Sequence, residues 1–202
     1  MRSTLRTPMP GTRSRSVLSA WFRSIGKRSR FRSAQASFGS IARSRFGDST
    51  VVIVATGYQD AVPALKSLGS LAGKVVIDVT NPLSADYKSL TIGHETSAAE
   101  EIAKAVPEAD VVKAFNTVFA EVLADGPAFQ FGQLASVFVA GDSEHAKQAA
   151  KTLIQSIRFK AVDAGPLRNA RYLEPLAGLN IYLGYGAGHG TAIAPVWIRK
   201  AA

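Results

Sequence analysis

Two amide side chains, Asn81 and Asn116, each follow a short run of β-branched and apolar residues. The first run is residues 75–79, and it leads into a Thr-Asn-Pro-Leu turn at residues 80–83. The second run is residues 111–115, and it leads directly into Asn116 and a threonine. Open α/β sheets bind ligands at the carboxyl ends of their strands. Polar turns in these two places therefore predict a small-molecule site.

Strands and helices alternate along the chain from residue 49 onward. Strands are predicted at residues 50–56, 74–79, 110–115, 135–140 and 159–162. Helices are predicted at residues 60–71, 97–107, 118–123, 143–157 and 168–190. Near-continuous apolar strands are typical of a sheet covered on both faces. The alternation calls for parallel pairing with right-handed crossovers, so we predict a doubly wound, mainly parallel α/β sheet with a helical C-terminal extension.

Local signals mark several helix ends and surfaces. Ser97 and Glu100 fit a capping box, and Asp142 is predicted to cap the helix at residues 143–157. In the last helical segment, Glu174 is placed to pair with Arg171 one turn earlier. Arg168 and Arg171 could face either phosphate or solvent, and solvent is favoured.

Composition excludes several kinds of chemistry. The chain has no cysteine, which rules out disulfides and thiolate sites. Its histidines, His94, His145 and His189, are scattered and form no metal-binding pattern, so we expect no metal. The uncharged stretch after Glu174 contains too many glycines and polar groups for a membrane span, and we interpret it as a buried helix.

Basic charge is confined to the first 48 residues. Residues 1–48 hold 11 Lys and Arg against one acid, whereas residues 49–202 hold 13 against 14. We therefore divide the chain into an Arg/Ser-rich leader and one domain at residues 49–202. Three interpretations of the leader remain: a disordered or misread segment, which we favour, an organelle-targeting peptide, and a nucleic-acid-binding arm.

Four stretches of the domain, taken together, resemble a known family. They read GKVVIDVTNPL at 73–83, IGHETSAAEEIAKAVPEADVVKAFNTVFAEVL at 92–123, VFVAGD at 137–142, and VDAGPLRNARYLEPLAGLNIYLGYGAGHG at 162–190. About residues 48–198 resemble the NADPH-dependent reductases of the deazaflavin coenzyme F-420, also described as predicted dinucleotide-binding oxidoreductases. The resemblance implies a Rossmann fold and hydride transfer between NADP(H) and the deazaflavin.

The resemblance also implies which residues contact the cofactors, and no catalytic acid or base is among them. The turn after the first predicted strand would pass along the dinucleotide, and the other two turns would lie near the nicotinamide and deazaflavin rings. The cofactor-binding residues are Ala55, Thr56, Gly57, Tyr58, Thr80, Asn81, Pro82, Leu83, Phe115, Asn116 and Thr117. Structural alternatives are an ordinary turn at Asn81 and a helix cap at Asn116. His94 is a further candidate for a phosphate or proton contact, or a loop residue with a local hydrogen bond.

One expected motif is absent from the sequence. A Rossmann domain binds pyrophosphate with a G-x-G-x-x-G turn after its first strand, and no such turn follows any predicted strand. The family places it within the region now occupied by residues 1–48. The alternating glycines from Gly184 to Gly190 have the wrong spacing and are predicted to allow close packing instead. The sheet is thus expected to be incomplete at its N-terminal part, and NADP binding to be impaired.

Several hypotheses about activity and partners remain open. The first is an NADP-dependent reductase with a deazaflavin acceptor. The alternatives are a ferric, imine or quinone reductase on the same fold, and a non-catalytic α/β scaffold. We expect a cytoplasmic homodimer with small-molecule partners, without a membrane or nucleic-acid partner; targeting by the leader is the alternative location.

Overall fold

The computed structural model describes residues 49–198 and residue 200, and the predictions made for residues 1–48 lie outside this part. Five strands form one sheet in the order β1 to β5. They are β1 (Val51–Val54), β2 (Val75–Asp78), β3 (Asp110–Ala114), β4 (Ser136–Gly141) and β5 (Lys160–Gly165). All five strands lie within two or three residues of their predicted positions. The predicted Rossmann-like α/β class is confirmed.

Five α-helices connect or follow the strands. They are α1 (Tyr58–Ser67), α2 (Ala98–Ala105), α3 (Ala120–Asp125), α4 (Glu144–Ser156) and α5 (Ala170–Ile181). Short 3₁₀ turns lie at Gln130–Gly132 and Leu167–Asn169, and a π-helical turn follows α5 at Tyr182–Gly186. No helix in the described ranges is long and apolar enough to cross a membrane.

The strand pairing is parallel except at one position. β1, β2 and β3 run parallel, as do β4 and β5, but β3 and β4 are antiparallel. The alternation of elements had predicted parallel pairing at this position also. Antiparallel neighbours need no crossover helix over a sheet face, and the chain between β3 and β4 contains only the short α3 and a 3₁₀ turn. That connection returns the chain beside β3 in the opposite direction.

Helices cover both faces of the sheet, as a doubly wound fold requires. Ala146, Ala150 and Ile154 of α4 pack on one face with the inward side chains of β2, β3 and β4. The other face is covered by α1 and α2, with α5 beside them. Alternate strand residues therefore point into two different apolar cores.

The capping predictions had different outcomes. Ser97 accepts a hydrogen bond from the Glu100 amide at 3.2 Å, so Ser97 is confirmed as the N-cap of α2. The reciprocal half of the capping box differs, because the Glu100 carboxylate accepts from the Ser97 hydroxyl at 2.8 Å instead of from a backbone amide. Asp142 was the wrong cap for α4. Ser143 caps that helix because α4 begins at Glu144, and Asp142 instead accepts a hydrogen bond from the Leu167 amide at 2.9 Å.

Candidate functional site

The carboxyl ends of β1, β2 and β3 open into a cleft of about 550 Å³, which we call the crevice. Residues from all three strand ends line it, together with side chains from α5. The predicted residues found on its walls are Ala55, Thr56, Gly57, Tyr58, Thr80, Asn81, Leu83, Phe115, Asn116 and Thr117. The exception is Pro82, which is buried and does not line the crevice.

The two asparagine-bearing turns are hydrogen-bonded to each other. Asn81 Nδ2 donates to the Asn116 carbonyl at 2.9 Å, and Asn116 Nδ2 donates to Asn81 Oδ1 at 3.0 Å. Asn116 Nδ2 also donates to the Leu173 carbonyl of α5 at 3.0 Å. Asn116 does not cap α3, whose N-cap residue is Phe119. The turns after β2 and β3 therefore form one rigid corner at the crevice.

Three buried oxygen atoms at this corner have no hydrogen-bond partner. Thr80 Oγ1, Asn116 Oδ1 and Thr117 Oγ1 are the unpaired buried side-chain polar atoms of the described residues, and all three residues line the crevice. Their residues are 3%, 8% and 2% exposed. A buried polar group without a partner costs about 1–3 kcal/mol, so such groups are rare in folded proteins. Three such atoms at one corner are typical of a site where a polar ligand supplies the hydrogen-bond partners.

The backbone at the end of β3 is strained. Phe115 is buried and has a φ of 63°, a left-handed conformation that is unusual for a bulky residue. This conformation turns the chain so that Asn116 and Thr117 face the crevice. Strained residues of this kind concentrate at functional sites, where the surrounding structure holds them.

An apolar wall faces the polar corner. It is formed by side chains of α3, α4 and α5 and the residues beside them: Phe119, Leu123, Leu153, Ile157, Ala177 and Ile181. A crevice with one apolar wall and a few convergent polar groups suits a flat organic ring.

Gly184, from the alternating glycines of the sequence, supports this wall. A Cβ atom at residue 184 would lie 2.7 Å from Phe119 Cζ and 3.1 Å from the Gly190 carbonyl oxygen. The Phe119 ring also meets the Tyr185 ring edge-on, with centroids 5.7 Å apart. The prediction of close packing is therefore confirmed at Gly184, but not at Gly188 and Gly190, where an added Cβ would have no atom within 4 Å. The regular helix ends at Ile181, earlier than predicted.

Gly184→Ala is expected to displace the Phe119 ring and to lower the free energy of unfolding by about 1–3 kcal/mol, the usual cost of overpacking. Gly186→Ala is the matched control, because its Cβ would meet the ring of Tyr182, which is exposed and can rotate away. Urea unfolding of both variants measures the difference. Equal stability of the two variants would contradict the assigned role of Gly184.

A buried charge network lies directly behind the polar corner. Lys113 Nζ lies 2.7 Å from Asp78 Oδ2 and 2.8 Å from Glu174 Oε1, and all three side chains are at most 1% exposed. The same ammonium group donates to the Thr80 carbonyl at 2.6 Å. Glu174 also accepts hydrogen bonds from the amides of Ala98 and Ala99 at the start of α2. The network therefore connects β2, β3, α2 and α5.

This network was not predicted from the sequence, although a signal was present. Asp78 and Lys113 are charged residues inside otherwise apolar strands, and they are direct partners in the register of β2 and β3. The predicted pairing of Glu174 with Arg171 was wrong. Glu174 points inward to Lys113, whereas Arg171 binds both carboxylate oxygens of Glu100, at 2.9 and 2.7 Å.

His94 and the arginines of α5 lie at a different place from the polar corner. His94, Arg168 and Arg171 line a second cavity of about 900 Å³ and are not among the residues that line the crevice. The His94 carbonyl accepts a hydrogen bond from Arg171 at 3.4 Å. This placement gives His94 no contact with the three unpaired oxygens.

The Glu100–Arg171 pair joins α2 to α5 and makes stability depend on pH. Hydrogen bonding to Arg171, partly opposed by burial, lowers the pKa of Glu100 below its ordinary value of 4.5. A carboxylate with a lowered folded-state pKa stabilises the protein above pH 4.5 and loses that contribution as the pH falls through the folded-state value. Arg171→Gln is therefore expected to lower the thermal midpoint at pH 7, with a difference from wild type that shrinks progressively below pH 4.5. A difference that is constant across this range would contradict the assignment.

The crevice fits the nicotinamide end of a dinucleotide better than it fits the pyrophosphate. The three unpaired oxygens and the apolar wall fit a nicotinamide ring with its carboxamide. Among the described residues that line the crevice, one helix start could contact a pyrophosphate. This is the start of α1, where Gly57 is the N-cap residue and makes no side-chain capping hydrogen bond. No group of three or more His, Asp or Glu in residues 49–198 lies together in a way that could hold a metal ion.

Comparison with known proteins defines the class. A crystal structure from Arthrobacter sp., provisionally described as an F-420-dependent NADP reductase, is 31% identical, covers 80% of this chain and 73% of that one, and superposes with a TM-score of 0.70. A hypothetical protein from Sinorhizobium meliloti is 30% identical over 65% of this chain and 69% of its own, with a TM-score of 0.54. The fold is therefore that of a Rossmann-type oxidoreductase.

Further similarity extends to a larger protein. Metalloreductase STEAP3 of Rattus norvegicus is 32% identical over 157 residues, which is 75% of this chain, but the chain spans only 30% of that protein's length. No protein-family model matches the chain. Because the Arthrobacter protein is 31% identical and 73% of its chain is covered, this chain belongs to the same family. That family is the predicted dinucleotide-binding oxidoreductases, which include the F-420-dependent NADP reductases.

Proposed function

We propose that this protein is an NADP-linked oxidoreductase that transfers a hydride between NADP(H) and a deazaflavin-type acceptor. In this proposal the nicotinamide ring lies in the crevice, with its carboxamide at the polar corner of Thr80, Asn116 and Thr117. The observation that carries the proposal is the corner itself: two strand-end turns bonded to each other, with three buried oxygens left unpaired.

Hydride transfer makes few demands on side chains. NADP(H) supplies the redox chemistry when it is bound, and the protein contributes orientation and the exclusion of water. The polar corner would fix the face that the ring presents, and the Phe119 wall would exclude water. Tyr58 also lines the crevice, and burial, followed by the nearby Glu101 and Glu174, raises the pKa of its phenol. Tyr58 thus stays protonated and can donate a hydrogen bond.

Similarity to known proteins supports two kinds of acceptor. Similarity to the Arthrobacter structure favours a deazaflavin. Similarity to a metalloreductase favours a second candidate, in which ferric ion or a ferric chelate is the substrate. Anaerobic assays of NADPH oxidation with a deazaflavin, ferric chelates, imines and quinones would rank these acceptors. Reduction of none of them would favour the non-catalytic scaffold.

The first experiment is a calorimetric titration of the full chain with NADPH and with reduced nicotinamide mononucleotide. Because no G-x-G-x-x-G turn follows a strand within residues 49–198, we expect NADPH to bind more weakly than micromolar, and the mononucleotide to bind almost as tightly. Asn81→Ala should weaken both ligands, whereas Gln148→Ala on the exposed surface of α4 should weaken neither. Micromolar or tighter NADPH binding would contradict the proposed loss of phosphate contacts, and no binding of either ligand would contradict the site.

We also propose an assembly and a location. Residues 49–202 are proposed as the catalytic domain of a cytoplasmic homodimer, with residues 1–48 as a separate leader. Light scattering after size-exclusion chromatography tests the dimer, and a monomeric mass would contradict it.

A further inference from the structure

A contribution to stability does not by itself explain why Asp78, Lys113 and Glu174 form a buried charge network. Removing three charges from water is costly, and buried ion pairs are often no better for stability than well-packed neutral side chains. Here all three groups are at most 1% exposed, between the sheet and the helices α2 and α5. The hydrogen bonds between this network and the backbone of Thr80 indicate a second role, in positioning that residue.

The Lys113 ammonium group is surrounded by three oxygen atoms, two of which accept hydrogen bonds from it. An ammonium group has three N–H donors, and the three oxygens around Nζ lie at 2.6, 2.7 and 2.8 Å. They belong to the Thr80 carbonyl, the Asp78 carboxylate and the Glu174 carboxylate. Two hydrogen bonds and one ion pair therefore fix the position of Nζ from three directions.

The network holds the Thr80 residue at both of its backbone polar groups. Asp78 Oδ1 accepts a hydrogen bond from the Thr80 amide at 2.8 Å, and Lys113 donates to the Thr80 carbonyl. This carbonyl belongs to the peptide that leads into Asn81. Fixing both ends of Thr80 fixes the direction of its hydroxyl and the start of the Asn81 side chain, and therefore the Asn81–Asn116 hydrogen bonds.

We propose that Lys113 is a positioning residue of the crevice: through the Thr80 carbonyl, and with Asp78, it sets the geometry of the polar corner that receives the ring. This inference rests on the proposed function for the identity of the ring. The orientation of the corner itself is a property of the protein and can be measured without a ligand.

The experiment separates positioning from stability with a neutral variant. Asp78→Asn, Lys113→Met and Glu174→Gln combined remove all three charges, retain an oxygen acceptor for the Thr80 amide and for one of the two α2 amides, and leave no charge unpaired. The matched single variant Glu174→Gln keeps the Lys113 contacts with Asp78 and Thr80. Three quantities are measured in each full-length protein: the thermal midpoint, hydrogen exchange of the Asn81 and Asn116 side-chain amides by NMR, and affinity for reduced nicotinamide mononucleotide.

The neutral variant is expected to keep its thermal midpoint within a few degrees, to exchange both asparagine amides about tenfold faster or more, and to bind the mononucleotide about tenfold more weakly, as the loss of an orienting hydrogen bond implies. Glu174→Gln should retain the slow exchange. Unchanged exchange in the folded neutral variant would overturn the proposal.

The experiment also tests the proposal in two other cases: when the neutral variant does not fold, and when the wild-type protein does not bind the mononucleotide. If the neutral variant does not fold, the double variant Asp78→Asn/Lys113→Met replaces it, because it removes the Lys113 contact with Thr80 while the Glu174 carboxylate keeps its hydrogen bonds from the α2 amides. Faster exchange of the Asn81 amide in that variant supports positioning, and unchanged exchange overturns it. If the wild-type protein binds no mononucleotide, the proposed function fails, while the exchange measurement still tests the role of Lys113.

Discussion

Lys113→Met is expected to lower the free energy of unfolding by about 3–5 kcal/mol, because it leaves the carboxylates of Asp78 and Glu174 buried without their counter-charge. Both carboxylates are within 2.8 Å of Nζ, and neither has access to solvent. For a domain of this size the change corresponds to a fall of about 10 °C or more in thermal midpoint. Thermal and urea unfolding at pH 7 measure it.

A control for this prediction is Lys104→Met, which makes the same substitution at an exposed ion pair. Lys104 lies 2.9 Å from Glu101 one helical turn away, and its side chain is 68% exposed. Exposed pairs contribute little because water and salt screen them, so this midpoint should hardly move. Comparable losses in the two variants would show that the buried network carries no special energetic role.

The elements that the sequence predicted correctly are those set by local pattern. β2 and β3 are β-branched runs bounded by turn residues, and Ser97 carries its capping signal within one helical turn. The corner of Asn81 and Asn116 was also expected, since carboxyl ends of adjacent parallel strands meet at one edge of the sheet. Each of these inferences needs only neighbours in sequence or one topological rule.

The features that the sequence did not predict depend on contacts between distant segments. The antiparallel direction of β4 depends on the path of the chain between β3 and β4, and the sequence of that segment does not indicate which way the next strand runs. Glu174 is 61 positions from Lys113, and a partner one turn away, Arg171, was the simpler choice. Burial decides between them: Glu174 lies on the inner side of α5, where only Lys113 and the α2 amides can compensate its charge.

The unpaired hydroxyls of Thr80 and Thr117 lead to a prediction with opposite signs for stability and binding. Thr117→Val and Thr80→Val replace a buried hydroxyl that lacks a partner with a methyl group of similar size. Each is expected to raise the free energy of unfolding of the ligand-free protein by about 1 kcal/mol, because a desolvated hydroxyl is removed. Each should also weaken binding of reduced nicotinamide mononucleotide about tenfold, as expected for the loss of one buried hydrogen bond.

Thr91→Val is a control with a paired hydroxyl on a more exposed residue, since the Thr91 hydroxyl already donates to the Pro82 carbonyl at 3.1 Å. Its loss should destabilise the protein instead of stabilising it. Urea unfolding and calorimetric titration of the three variants give both quantities. A protein that retains unpaired polar groups gives up stability for an interaction made later, so stability and affinity must change in opposite directions at Thr80 and Thr117. If both variants become less stable while binding is unchanged, the two hydroxyls serve the fold, and the polar corner is not the place where the ring is held.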